Sequence, residues 1–175
     1  MAALLPRLTL VLGGACSGKS RYAEGLVRKL PPPWVYIATA EALDDEMRGR
    51  IAEHAARRGD GWTTIEAPLD LVGTVSAHGD SSAPVLIDCL TLWLSNILLA
   101  GMPVPAECDR LCAALVAAKG PLVVVSNEVG LGIVPETKLG SDFRDAQGRL
   151  NAEMAALADH VVFMAAGLPL TLKQP

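Results

Sequence analysis

Leu8-Thr9-Leu10-Val11-Leu12 is a short apolar run that stops at Gly13-Gly14. Runs of this length, bounded by turn residues, mark strands buried on both faces. Val35–Ala38, Val85–Asp88 and Leu122–Ser126 read the same way, and Trp62–Glu66 as a further strand. Between them the apolar positions recur at helical spacing. Ala23, Leu26, Val27 and Leu30 predict a helix over 19–30, stopped by Pro31-Pro32-Pro33. Asp44-Asp45-Glu46 opens another, because acids in a first turn complement the helix dipole; it runs to about Arg58 and ends near Gly59. Leu69–Ala77, Leu90–Leu99, Glu107–Lys119 and Phe143–Ala158 complete the helices. Val161–Met164 and Leu168–Leu172 form a closing hairpin across Gly167. Buried strands alternating with helices predict an α/β fold. Its sheet is mostly parallel with an antiparallel edge strand, and helices cover both faces.

Two segments break the pattern. Residues 77–84 are polar and read as a surface loop. Val129 to Asp142 is long for a loop in a compact domain, and such loops are usually functional. It keeps Val129, Leu131, Ile133 and Val134, so an ordered, functional loop is expected.

Composition narrows the class. The 175 residues suit one domain over 1–175. They are 51% hydrophobic and 19% charged, which excludes a disordered chain and favours a large buried sheet, an apolar subunit interface, or both. A net charge of −4 with no basic cluster argues against nucleic acid as a partner. The longest nearly apolar run, Leu90–Leu99, is too short to span a membrane, and Met1–Arg7 does not resemble a secretory leader. A cytoplasmic protein is expected. Cys108 and Cys112 lie one helical turn apart without a second pair of ligands, so they read as small buried thiols rather than a metal site.

Gly13-Gly14-Ala15-Cys16-Ser17-Gly18-Lys19-Ser20 fits G-x-x-x-x-G-K-[ST] between a strand and a helix, the context this phosphate-binding loop requires. The expected fold is therefore of the P-loop NTPase type. Its glycines let backbone N–H groups curl around phosphate oxygens, and the helix N-terminus adds positive charge. Lys19 would reach the β- and γ-phosphates, and Ser20 would ligate Mg²⁺. A second metal-side acid belongs at the end of a neighbouring strand. Asp88 suits that place, although it also suits capping of the helix that follows. Glu128 ends the 122–127 segment in the same way, close to nucleotide or acceptor, or as a plain loop carboxylate.

The 44–58 helix carries a histidine. At 100° per residue from Leu43, the positions of Met47, Ile51 and His54 fall at about 40°, 80° and 20°. His54 thus shares the apolar stripe, flanked by Arg50 and Arg58 one turn to either side. Two readings stand at this point: a satisfied core or interface group, or a neutral nucleophile beside two arginines that hold a triphosphate.

Several segments together resemble the bifunctional adenosylcobinamide kinase / adenosylcobinamide-phosphate guanylyltransferase family. They are Gly13 to Glu24, Tyr36-Ile37-Ala38-Thr39, Leu43-Asp44-Asp45-Glu46-Met47 through Arg50-Ile51 to His54, and Gly61-Trp62. Asp88-Cys89-Leu90-Thr91, Ser126 to Glu136, Phe143-Arg144-Asp145 and Gly148-Arg149-Leu150-Asn151 extend the likeness along almost the whole chain. The resemblance implies phosphorylation of adenosylcobinamide with ATP or GTP, then transfer of GMP from GTP to adenosylcobinamide phosphate with release of pyrophosphate. It implies a guanylylated histidine, at the position of His54, and a homotrimer with active sites between subunits. Cys16 departs from the pattern, which usually has Arg there; the loop's backbone donors remain. Two other readings fit the loop alone: a monofunctional kinase of another small alcohol, and a nucleotide-dependent switch or ATPase subunit.

Overall fold

A computed structural model describes residues 5–41 and 45–175. Strands β1 (Leu8–Gly13), β2 (Trp34–Ala38), β3 (Trp62–Glu66), β4 (Val85–Asp88), β5 (Leu122–Asn127), β6 (His160–Ala165) and β7 (Leu168–Lys173) form one sheet. Its order is β3-β2-β4-β5-β1-β6-β7. Every pairing is parallel except β6–β7 at the edge. The helices are α1 (Lys19–Val27), α2 (Asp45–Arg58), α3 (Leu71–His78), α4 (Leu90–Leu99), α5 (Val104–Ala117) and α6 (Lys138–Leu157).

Strand alternation builds two cores. Leu8, Leu10, Val85, Ile87, Leu122 and Val124 face one side, where α3, α4, α5 and α6 supply Leu71, Trp93, Leu111 and Leu150. Val11, Leu86, Val123, Val125 and Val162 face the other, against Ala23, Leu26 and Val27 of α1. Burial on both faces explains why the strands read as nearly unbroken apolar runs. The chain leaves β1 toward β2 and β4, then returns to place β5 and β6 on the two sides of β1. That reversal is the switch point beside which open α/β sheets bind ligands.

Several boundaries differ from the sequence reading. Helix α6 starts at Lys138, not Phe143, because the Thr137 hydroxyl accepts from the Gly140 N–H at 3.1 Å and caps it. The long loop therefore covers 128–137. Helix α5 starts at Val104 with Pro105 inside its first turn, where a missing N–H costs nothing. Helix α3 starts at Leu71, capped by Asp70. Helix α1 closes at Val27, three residues early. The β6–β7 turn has φ of 51° at Ala166 and 80° at Gly167, the two positive values of a type I′ hairpin turn.

Of the cysteines, Cys89 and Cys108 are buried and Cys16 is exposed. Cys112 is only half-buried and donates to the Glu153 carboxylate at 3.7 Å, which corrects the buried-thiol reading for that residue. Among the described residues no helix is long and apolar enough to cross a membrane.

Candidate functional site

The phosphate loop lies at the carboxyl end of β1. Gly13 has φ of 151°, and a Cβ there would stand 2.5 Å from the Met164 carbonyl oxygen. Only glycine lets β1 and β6 approach this closely. Gly18 is the N-cap of α1 with φ of 91°, a left-handed backbone that glycine adopts without strain. Cys16 is also left-handed, at φ 54°, with its side chain exposed. The β6–β7 turn closes over the loop, with the Gly167 Cα 3.7 Å from where a Gly18 Cβ would be.

Lys19 is buried, 7% exposed. Its ammonium donates to the Gly14 carbonyl at 2.5 Å and to Ser17 Oγ at 3.5 Å, so it lies folded within the loop. Burial lowers its pKa, while the Asp88 carboxylate pulls the other way. Asp88 is thus electrostatically coupled to the loop lysine. Ser20 follows in the first turn of α1, half-buried.

Asp88 does not stand on the strand next to β1. Strand β5 intervenes, which corrects the neighbouring-strand expectation. Nor does Asp88 cap the following helix, whose N-cap is Cys89. Its Oδ2 instead accepts from the Tyr36 hydroxyl at 3.0 Å. Burial, then the Asp88 charge, raises the Tyr36 pKa well above its ordinary value, so the phenol stays a donor. Thr39 holds the backbone beside Asp88. Its hydroxyl donates to the Cys89 carbonyl at 2.7 Å and accepts from the Cys89 N–H at 2.8 Å. Asn96 Nδ2 in turn donates to the Thr39 carbonyl at 2.8 Å. The Cys89 thiol is pushed up to about 12, chiefly by burial, and remains a neutral thiol rather than a nucleophile.

The carboxyl end of β5 falls between the phosphate loop and Asp88. Gly13 pairs with Asn127 and Asp88 with Val125. Glu128 comes next. Its N–H donates to the Gly13 carbonyl at 3.0 Å and its Oε1 accepts from the Gly130 N–H at 2.6 Å. Topology therefore puts this carboxylate at the centre of the strand ends. A buried polar network fixes that end from below. Ser126 Oγ donates to Asn151 Oδ1 at 2.7 Å, Gln147 Nε2 donates to Ser126 Oγ at 3.0 Å, and Asn151 Nδ2 donates to the Asn127 carbonyl at 2.9 Å. The Asn127 N–H donates to Thr91 Oγ1 at 2.8 Å. The sequence reading gave Tyr36, Thr39, Thr91, Ser126, Gln147 and Asn151 no site role. The available signal was polar residues at core positions, with Gln147 and Asn151 one turn apart on α6.

The side chains of His54 and Arg50 lie outside the described residues, as do those of Glu46, Met47 and Arg57, so of the expected apolar stripe only Ile51, half-buried, is described. The backbone of all five belongs to α2. Arg58 is described and buried. Its guanidinium stacks 3.6 Å from the centroid of the Tyr36 ring, and Nη2 donates to Thr64 Oγ1 at 3.3 Å. The 128–137 loop holds Leu131, Ile133 and Val134 outward at 82%, 96% and 61% exposure.

Comparison with known proteins places this geometry. Residues 9–172 match the family described as cobinamide kinase / cobinamide phosphate guanyltransferase. A bifunctional adenosylcobalamin biosynthesis protein of Pseudomonas aeruginosa is 45% identical, over 94% of this chain and 96% of its own. A protein of that description from Salmonella typhimurium is 38% identical, over 95% and 99%. Among solved structures, a type III secretion ATPase of pathogenic bacteria superposes with a TM-score of 0.59 at 11% identity, over 95% of this chain and 57% of that one. The flagellar accessory protein FlaH of Methanocaldococcus jannaschii gives 0.55 at 13%, over 97% and 80%. These distant likenesses carry the P-loop ATPase fold alone.

Proposed function

The chain belongs to the bifunctional cobinamide kinase / cobinamide phosphate guanyltransferase family, and from that premise we propose two reactions at one nucleotide site. The first phosphorylates the aminopropanol hydroxyl of adenosylcobinamide with ATP or GTP. The second moves GMP from GTP onto the new phosphate through a covalent adduct on His54. The observation that carries the nucleotide site is the phosphate loop at the end of β1 with Lys19 folded into it and Asp88 within its electrostatic reach.

In the first reaction the hydroxyl oxygen attacks the γ-phosphorus, the bond to the β-phosphate oxygen breaks, and the nucleoside diphosphate leaves. Lys19 and the loop N–H groups stabilise charge on the transferring phosphoryl group. Glu128, at the centre of the strand ends, is the substrate-side carboxylate that would take the hydroxyl proton in this reading. In the second reaction an imidazole nitrogen attacks the α-phosphorus of GTP and pyrophosphate leaves. The cobinamide phosphate oxygen then attacks that phosphorus and releases the histidine. In the sequence reading Arg50 and Arg58 flank this step as phosphate contacts.

The donors present fit Mg²⁺. Ser20 offers a hydroxyl and Asp88 a carboxylate, both hard oxygens, and among the described residues no three His, Cys, Asp or Glu side chains cluster as an all-protein cage. Mg²⁺ is ordinarily held this way, by few protein oxygens plus phosphates and water. Bound there, it would neutralise charge on the β- and γ-phosphates. Asp88→Asn is expected to raise the Mg²⁺ concentration for half-maximal activity about tenfold or more. An unchanged Mg²⁺ titration removes Asp88 from the site.

We propose a homotrimer, the number coming from the family resemblance. Its support is the apolar surface one chain leaves in water, at Leu131 and Ile133 on the loop and at Leu168, Leu170 and Leu172 on edge strand β7. Sedimentation is expected to give three times the 18.3 kDa chain mass at micromolar concentration, and a monomer contradicts the assembly.

Incubation with GTP, with and without adenosylcobinamide, tests the whole reading. A covalent GMP adduct plus phosphorylated acceptor supports it. Acceptor phosphorylation without an adduct leaves a kinase alone, and nucleotide hydrolysis without either product overturns it.

A further inference from the structure

Among the described residues of α2, Arg58 alone is buried. It is the last residue of the helix, and Gly59 follows with φ of 68°, a left-handed helix stop. Groups from three elements hold this end. The Tyr36 ring on β2 lies 3.6 Å from the guanidinium carbon. Thr64 on β3 accepts from Nη2 at 3.3 Å. Arg28, which closes α1, donates to the Arg58 carbonyl at 2.7 Å. That last contact puts a cation on the negative end of a helix, the favourable arrangement. Tyr36 then passes its hydroxyl to Asp88 at 3.0 Å. One residue thus joins three things: the helix that bears position 54, the helix that opens at the phosphate loop, and the strand end that bears Asp88.

We infer that Arg58 is a positioning residue for guanylyl transfer: its stack on Tyr36 and its carbonyl's bond to Arg28 dock the end of α2 and so set where residue 54 stands relative to the phosphate loop. The inference rests on the reading of His54 as the guanylylated residue. It differs from the expectation that Arg58 binds the departing pyrophosphate. Arg58 is 7% exposed as a residue, and its guanidinium has its face on the ring and an N–H on Thr64. Reaching a phosphate would require it to leave both. Position 54 lies one helical turn before the docked residue, so freedom at Arg58 becomes displacement at 54. An in-line attack on phosphorus tolerates little of this, since ~1 Å of misplacement costs on the order of 100-fold in rate.

The test measures single-turnover labelling by α-³²P GTP, with the kinase rate of the same preparation as the internal comparison. Arg58→Ala is expected to slow labelling at saturating GTP by roughly 30- to 100-fold relative to the kinase rate, with the KM for GTP within about threefold. Arg58→Lys keeps the charge but not the planar stack or fork, and is expected to fall in between. Arg28→Gln approaches the joint from an exposed side chain and so folds readily; labelling is expected to slow by about five- to tenfold. Tyr36→Phe keeps the ring under Arg58 and drops only the hydroxyl on Asp88, so its labelling relative to the kinase rate is expected to stay near wild type; Tyr36→Leu removes the ring as well and is expected to slow labelling relative to the kinase rate about as much as Arg58→Ala. The inference is overturned if Arg58→Ala raises the KM for GTP about tenfold while Tyr36→Leu labels normally, which is the signature of a direct phosphate contact. It is equally overturned if Arg58→Lys and Arg28→Gln both label at the wild-type rate. A His54→Ala control separates the layers. If that variant still labels, the histidine reading fails and takes the inference with it. If it does not label but the Arg58 and Arg28 variants do so normally, the inference alone fails.

Discussion

His54→Ala is expected to take up no label from α-³²P GTP and to make no adenosylcobinamide-GDP, while keeping measurable kinase activity. The imidazole suits the covalent step because it is a good nucleophile when neutral and a good leaving group once phosphorylated. Splitting the transfer into two displacements lets one nucleotide site serve both halves. The kinase half is spared because Lys19, Ser20 and Asp88 are untouched. The wild-type adduct is expected to resist alkali and be lost in mild acid, as phosphoramidates are. The fold sharpens this prediction by placing the other two histidines. His160 opens β6 in register with Thr9, four residues below the loop glycine Gly13 and so ~13 Å toward the opposite edge of the sheet. His78 ends α3 just before Gly79, whose carbonyl accepts from the Lys119 and Gly120 N–H groups that precede β5, again at the amino end. Neither stands where the nucleotide would be. Labelling of His54→Ala at the wild-type rate would therefore move the nucleophile off histidine altogether.

Lys19→Ala is expected to depress both reactions, by on the order of 10²–10³ in rate, the usual cost of removing one donor to a transition-state oxyanion. Lys19 is the loop's own point charge, and its hydrogen-bond partners among the described residues are Gly14 O and Ser17 Oγ. Both partners belong to the loop itself, so truncation leaves the sheet and α1 in place. Circular dichroism and sedimentation are expected to be unchanged, and steady-state kinetics carry the loss. Because both reactions draw on the same bound triphosphate, both fall together, in contrast to His54→Ala, which separates them. Near-normal turnover in both would mean that the nucleotide binds elsewhere.

Taken by itself, the sequence determined the sheet's strands, the phosphate loop and the family. Apolar runs at β1, β4 and β5 are long-range burial written locally, because a strand covered on both faces has no polar positions to spare. The Gly-x-x-x-x-Gly-Lys-Ser loop is legible because its backbone geometry tolerates few residues. Start signals were weaker. Thr137 caps α6 and Pro105 sits within the first turn of α5, yet both residue types also occur in loops, so each helix began earlier than its apolar spacing indicated.

Tertiary structure alone decided what surrounds the loop. Strand order does not follow chain order, so only the fold shows β5 between β1 and β4 and brings Glu128 to the centre of the strand ends. Thr91, Ser126, Gln147 and Asn151 carry no site role in the sequence. They become a network only when α4, α6 and the end of β5 converge on buried space, where most polar groups find a partner. Arg58 is the sharpest case. Its spacing from His54 suggested a phosphate ligand, because one helical turn is all that sequence periodicity can report. Its actual neighbours, Tyr36 at 3.6 Å and Arg28 through the helix's last carbonyl, come from elements 22 and 30 residues away, and proximity of that kind is a property of the folded chain alone.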